Sequence, residues 1–155
     1  MAETLTADAQ IQEIATAYAL DAVDFAANNF KITLDWSDQS VQQIEQILGF
    51  LHDDLDSAKP PEEAVWNFAK VFGSYVGEVL RKNHGAQWGI VTLHGESMPG
   101  MQQSGLVCWP WGRAHKRIQQ GPENNTWHYY QLLLRQAIDP LRDAEPETKP
   151  WWRFW

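Results

Sequence analysis

One helix constrains this chain more than any other stretch. Between about Pro61 and Lys82, Val65, Phe68, Phe72, Tyr75 or Val76, and Val79 recur at helical spacing, and Trp66 and Leu80 widen the apolar stripe. On the same helix Ala69, Gly73 and Gly77 fall at four-residue steps, so one strip carries almost no side chain. A glycine inside a helix costs roughly 0.5–1 kcal/mol relative to alanine. Two in one row need a reason, and close approach of another backbone is the usual one. Glu78 follows Gly77, with Ser74, Tyr75 and Arg81 nearby. A glutamate buried there requires a donor or a cation, because an unpaired buried charge is costly. The basic cluster Arg113, Lys116 and Arg117 is expected to supply it, which makes Glu78 an anchor between the two halves. The competing role for Glu78 is in ligand binding or catalysis.

The remaining periodicities place other elements around this helix. A first helix is expected from Thr6, its N-cap, to Asn29, with Ile11, Ile14, Tyr18, Ala22 and Phe25 on its apolar face. Ile32, Leu34 and Trp36 alternate with polar neighbours, which predicts a short strand over Phe30 to Trp36. A second helix runs from Ser37 or Ser40 to Leu55 on Val41, Ile44, Leu48, Leu51 and Leu55. Gln87 to Leu93 and Leu106 to Trp109 read as strands around a Gly/Ser/Met/Gln-rich loop from Gly95 to Gly105. Two last helices, Pro110 to Gln120 and Thr126 to Ile138, are closed by Gly121-Pro122 and Asp139-Pro140. The expected fold is α+β, with four to five helices packed with a small sheet of about three short strands. Residues 1–141 form a single α+β domain, followed by a charged, proline-containing linker and aromatic tail over 142–155.

Composition narrows the function classes. The 155 residues carry a net charge of −8, concentrated in residues 1–63, where 13 acids face only Lys31 and Lys59. Such a half repels phosphate backbones, so no nucleic acid is expected as partner. It is suited to steering a basic protein instead. No apolar run is long enough to insert in a membrane, and Met1 to Asp8 holds Glu3 and Asp8 with no base, unlike a signal peptide. A cytoplasmic location follows as an expectation. The single cysteine, Cys108, leaves no disulfide framework and sits in an apolar strand that favours an inert thiol.

No catalytic motif, no cofactor fingerprint and no metal set is expected. His52 and Asp56 share a helix face at a ligand spacing, but three carboxylates at a helix end are more simply solvated. Nine tryptophans are the compositional anomaly. Trp36, Trp66 and Trp88 are expected in the core, and Trp109 and Trp111, around Pro110, along a groove. The candidate structural or pocket residues are Gly73, Gly77, Glu78, Trp88 and Arg117. Trp151, Trp152, Phe154 and Trp155 are the candidate interface.

The ordered series Phe72-Gly73-Ser74-Tyr75-Val76-Gly77-Glu78-Val79, His84-Gly85 and Trp88 resembles a set of small, mostly uncharacterised bacterial proteins. Their pattern is an F-G-x-Y-x-G-E helix, a turn and a strand opened by tryptophan. Leu34-Asp35, Trp109-Pro110, Lys116-Arg117-Ile118, Gly121 and Tyr129-Tyr130 extend the likeness over about residues 30–135. Some proteins of this look have been proposed as immunity partners of secreted toxins. The resemblance implies a non-enzymatic bacterial protein-binding domain that neutralises a basic toxin partner, and it carries no catalytic residue. The alternative is a small-molecule-binding or enzymatic domain with a pocket beside Glu78 and the Trp-rich strands, using His94 and Arg117. Self-association remains a third use for the glycine strip and the terminal aromatics.

Burying one large aromatic ring contributes roughly 1.5–3 kcal/mol, comparable to the cost of ordering one or two residues. The four aromatics in residues 151–155 are therefore expected to pack on the chain's own body or on a second copy. Deleting 151–155 should lower the melting temperature or change the size in solution. An equally stable, equally sized truncation that loses only a partner would make the tail an interaction motif.

Overall fold

The computed structural model describes residues 4–138. In chain order it contains β1 (Thr4–Ala7), α1 (Ala9–Phe30), α2 (Ser40–Ala58), α3 (Glu62–His84), β2 (Gln87–Leu93), β3 (Glu96–Gln103), β4 (Leu106–Cys108), α4 (Pro110–Gln120) and α5 (Thr126–Ile138). A single turn of 3-10 helix, Pro122–Asn124, joins the last two helices. The four strands form one antiparallel sheet in the order β1-β2-β3-β4. Among the described residues the architecture is α+β with five α-helices, and the sheet has one strand more than expected. Among the described residues no helix is long and apolar enough to cross a membrane. The linker and the aromatic tail lie outside the described residues.

Helix α3 is the centre, with α1 and α4 both packed along it. Residues 72–80 are buried without interruption, so the glycine strip and Glu78 face protein on every side. Against it α1 presents Ala15, Ala19, Ala22 and Ala26, all fully buried, at alternating steps of four and three. The apolar face of α1 is therefore rotated from the expected one. Ile14 is 43% exposed, Ile11 and Phe25 pack against the core beside the alanine seam, and Tyr18 is half-buried against Trp111. Small side chains on the facing surfaces allow a close approach, which the larger ones on either side then seal.

Three expectations about local structure need correction. The first helix starts later, because Thr4–Ala7 pairs with β2, and Asp8 rather than Thr6 caps it. The Asp8 carboxylate accepts from the amides of Gln10 at 2.9 Å and Ile11 at 3.0 Å. The residues between α1 and α2 form no strand. Leu34 is buried and Ile32 and Trp36 are half-buried, so the alternation was real, but the segment has no ladder partner. Its polar groups go to side chains instead: the Trp36 amide donates to the Tyr75 hydroxyl, and Asn83 donates to the Trp36 carbonyl.

The expected loop after β2 is mostly strand β3. Its two ends are two-residue turns, His94-Gly95 (φ 52° and 79°) and Ser104-Gly105 (φ 50° and 84°). Left-handed conformations at both positions match the twist of a hairpin, and glycine takes the second at little cost.

The glycine strip of α3 serves two neighbours. A Cβ on Gly73 would stand 2.5 Å from the Pro110 carbonyl oxygen and 2.9 Å from Trp111 Cα, so the bare position admits the backbone that opens α4. A Cβ on Gly77 would collide with the Trp88 ring and with Met101 Sδ, so there the neighbour is a side chain and not a backbone. Gly73→Ala should gain helix propensity yet lose stability, by about 1–3 kcal/mol, because the backbone it meets cannot yield as a side chain would. Denaturant unfolding measures this, and a variant as stable as the parent would remove the packing account.

Candidate functional site

Glu78 is fully buried, and both of its carboxylate oxygens are engaged. Arg81 donates from Nε to Oε2 at 2.7 Å and from Nη2 to Oε1 at 3.0 Å. Trp88 Nε1 donates to Oε2 at 3.0 Å, and Thr16 Oγ1 donates to Oε1 at 3.0 Å. Three elements, α1, α3 and β2, thus meet on one group. Burial pulls the carboxyl pKa upward. The hydrogen bonds from Arg81, Trp88 and Thr16 and the charge of Arg81 outweigh it and hold the group ionised below its ordinary value. The cation is the residue three positions along the same helix, not the α4 cluster expected to provide it. That cation reaches toward solvent, since the Arg81 side chain is 29% exposed.

The strip shows a repeated unit. Gly77 makes room for the Trp88 ring and Glu78, the next residue, accepts its indole N–H. One turn earlier, Gly73 admits the start of α4 and Ser74 accepts the indole N–H of Trp111 at 2.7 Å. The two indoles tilt against each other with centroids 6.1 Å apart. Trp111 also meets Tyr18 edge-on and carries the Lys70 ammonium 5.8 Å from its ring centroid. Trp66, by contrast, is 37% exposed and stacked on His115 at 3.9 Å.

Arg117 is spent elsewhere. Its Nε lies 2.8 and 3.0 Å from the two Glu45 oxygens, and both side chains are largely buried. Glu45 also accepts the Thr126 amide at 2.8 Å, so one carboxylate ties α2 to α4 and to the start of α5. Arg113 donates to Asn124 at 3.0 Å and lies over the Tyr129 ring. His94 stands exposed in the turn between β2 and β3. The Glu78, His94 and Arg117 combination is therefore divided among three separate environments.

Sequence reasoning missed Glu45 and also a third carboxylate centre. Asp38, before α2, accepts from Tyr130 at 2.6 Å and from Asn83 at 3.3 Å, and His84 Nε2 lies 2.9 Å away. Burial acts to raise its pKa, but the bonds from Tyr130, His84 and Asn83 leave it below the ordinary aspartate value. Asn83 and His84, a polar pair at the end of α3, were the available signal, since such a pair can reach back to the segment before α2. Burial pushes the Cys108 thiol up to about 12, which leaves it protonated at neutral pH. Among the described residues no group of three or more His, Cys, Asp or Glu is placed to hold a metal ion.

Replacing Glu78 by glutamine leaves Arg81 without its anion and should cost about 3–5 kcal/mol if the pair behaves as fully buried, less because Arg81 meets solvent. The sign of its pH dependence is fixed by the lowered folded pKa. The contribution of Glu78 is complete above about 4.3, the unfolded glutamate value, and is lost as pH falls through the folded one. The unfolding free energy, measured from pH 7 down to pH 3, should therefore fall less steeply in Glu78→Gln than in the parent.

No protein-family model and no curated protein matches the chain. A crystal structure from Bacteroides thetaiotaomicron VPI-5482 shares the fold, with a TM-score of 0.57 and 15% sequence identity over 90% of this chain. The match covers 48% of that protein, so the chain spans about half its length, and the likeness is one of fold alone.

Proposed function

We propose that the chain is a non-enzymatic, immunity-type bacterial domain that binds and neutralises a basic protein partner. The observation that carries this reading is the division of its acids. Glu78, Asp38 and Glu45 are consumed by internal donors, as the hydrogen bonds above describe, and offer no open carboxylate pair for acid–base chemistry. Glu13, Asp21, Asp24, Asp53, Asp56 and Glu63 are exposed and make no ion pair among the described residues. On α1 the first three share the outward face with Ile14 and Leu20, which are 43% and 55% exposed. A surface of one sign raises association rates by roughly 10 to 1,000-fold, and apolar points within it give the contact area that charge alone lacks.

The toxin-directed part of the reading rests on the sequence resemblance, and a toxin gene beside this one would support it. The direct test is affinity capture from the source organism with the parent chain and with Asp21→Lys/Asp24→Lys. One stoichiometric partner is expected, retained at low salt, released as the ionic strength rises beyond about 0.15 M, and weakened by the charge reversal. Recovery of nothing at any salt, or capture indifferent to both salt and charge, overturns the reading.

A further inference from the structure

Trp36 is the most unusual backbone position in the described chain. A bulky side chain stands at φ 65°, in the left-handed region that such residues avoid. Its conformation is fixed from several sides. The amide donates to the Tyr75 hydroxyl at 2.9 Å, the carbonyl accepts from Asn83 at 2.9 Å, and the ring stacks on Tyr75 with centroids 4.7 Å apart. Tyr75 is held in turn by Ser40 at 2.7 Å. The ring also carries the Lys82 ammonium, 5.0 Å from its centroid. Lys82 is exposed and makes no ion pair among the described residues. The indole is thus its partner, although exposed Asp35 immediately precedes Trp36 and Asp38, at 35% exposure, lies two residues after it.

The geometry points to Trp36 as a recognition platform for a basic side chain, preferably arginine, presented by the protein partner, with Lys82 occupying the ring in the free state. This rests on the protein-binding reading and names the contact within it. The ring already accepts a cation, the neighbouring Asp35, whose Oδ1 accepts from the Ser37 amide and hydroxyl, adds charge of the right sign, and Lys82 is a long flexible chain that can leave. Arginine suits the place better than lysine, because its planar guanidinium stacks on the ring while keeping donors for a carboxylate. The left-handed backbone holds the ring in position before the partner arrives.

A blocked hexa-arginine peptide, titrated by calorimetry at 0.15 M salt, tests this. Lys82→Ala removes the internal occupant, while Lys116→Ala on α4 removes the same charge from a surface near His115, at the other end of α3. Lys82→Ala should bind about two- to fivefold more tightly than Lys116→Ala, and folded Trp36→Phe about two- to fivefold more weakly than the parent. Equal affinities for the two lysine variants overturn the proposal, and that pair decides alone if Trp36→Phe does not fold. A chain that captures a salt-sensitive partner but gives equal lysine variants keeps the protein-binding reading and loses this site. The expected titrations with no captured partner support the platform and remove the reading on which its partner rests.

Discussion

Burying the Glu78 carboxylate commits the surrounding fold, because an ionised group inside a protein is tolerated only where its donors are fixed in advance. Arg81 is supplied by the same helix, but Trp88 and Thr16 must arrive from β2 and α1. Trp88 can reach the carboxylate only if its ring lies where a Gly77 side chain would otherwise stand. The acid and the glycine before it are therefore one device: the first specifies where the indole nitrogen goes, and the second leaves space for the rest of the ring. Ser74 and Gly73 repeat the device for Trp111 at lower electrostatic cost. A hydrophobic replacement of the pair could be as stable, since buried ion pairs often contribute little net energy. What the polar version adds is direction, because an apolar contact would not fix which edge of the indole points inward.

Glu45 and Asp38 extend the same logic to the remaining helices. Glu45 gathers Arg117 and the first amide of α5, and Asp38 gathers His84 from the end of α3 and Tyr130 from α5. Each carboxylate joins segments far apart in sequence, and together they tie α5 back onto α2 and α3. An anion at the first amides of a helix also complements its dipole, so Glu45 stabilises the start of α5 in two ways. The acids that hold the fold are thus distinct from Glu13, Asp21, Asp24, Asp53, Asp56 and Glu63, which stay exposed on the surface.

The helices were legible because their signals are local and redundant. Gly121-Pro122 closed the helix from Pro110 and Asp139-Pro140 the one from Thr126, and the strip on α3 pointed to close packing before any partner was known. The sheet was less so. The eight residues of β3 include Pro99 and Gly100, which suppress strand propensity, and only the pairing with β2 makes them a strand. The readable signal was the spacing of His94-Gly95 and Ser104-Gly105, two turn pairs separated by one strand length. For Phe30 to Trp36 the error ran the other way. Alternation reports which side chains face inward, not whether a neighbouring backbone is present to pair. The cation for Glu78 was sought on α4 because an anchor between halves seemed to require a distant partner, yet Arg81 was three residues away. The distant partners turned out to be the uncharged donors.

The Trp36 segment shows how such irregular backbone is maintained. A left-handed bulky residue costs on the order of 1–3 kcal/mol. Two backbone-to-side-chain hydrogen bonds offset roughly 1–3 kcal/mol, and the stack on Tyr75 adds about 0.5–1.5 kcal/mol. These terms nearly balance, so the segment owes its shape to all of them acting together. Loss of Tyr75, Asn83 or Ser40 would free the backbone to relax. The participants come from α2, from both the middle and the end of α3, and from the connecting segment itself, which makes the ring's position a property of the assembled core. A surface aromatic held in this way has little rotational freedom left to lose on contact with a partner. The strain therefore belongs to a half-buried ring that the core beneath it holds in place.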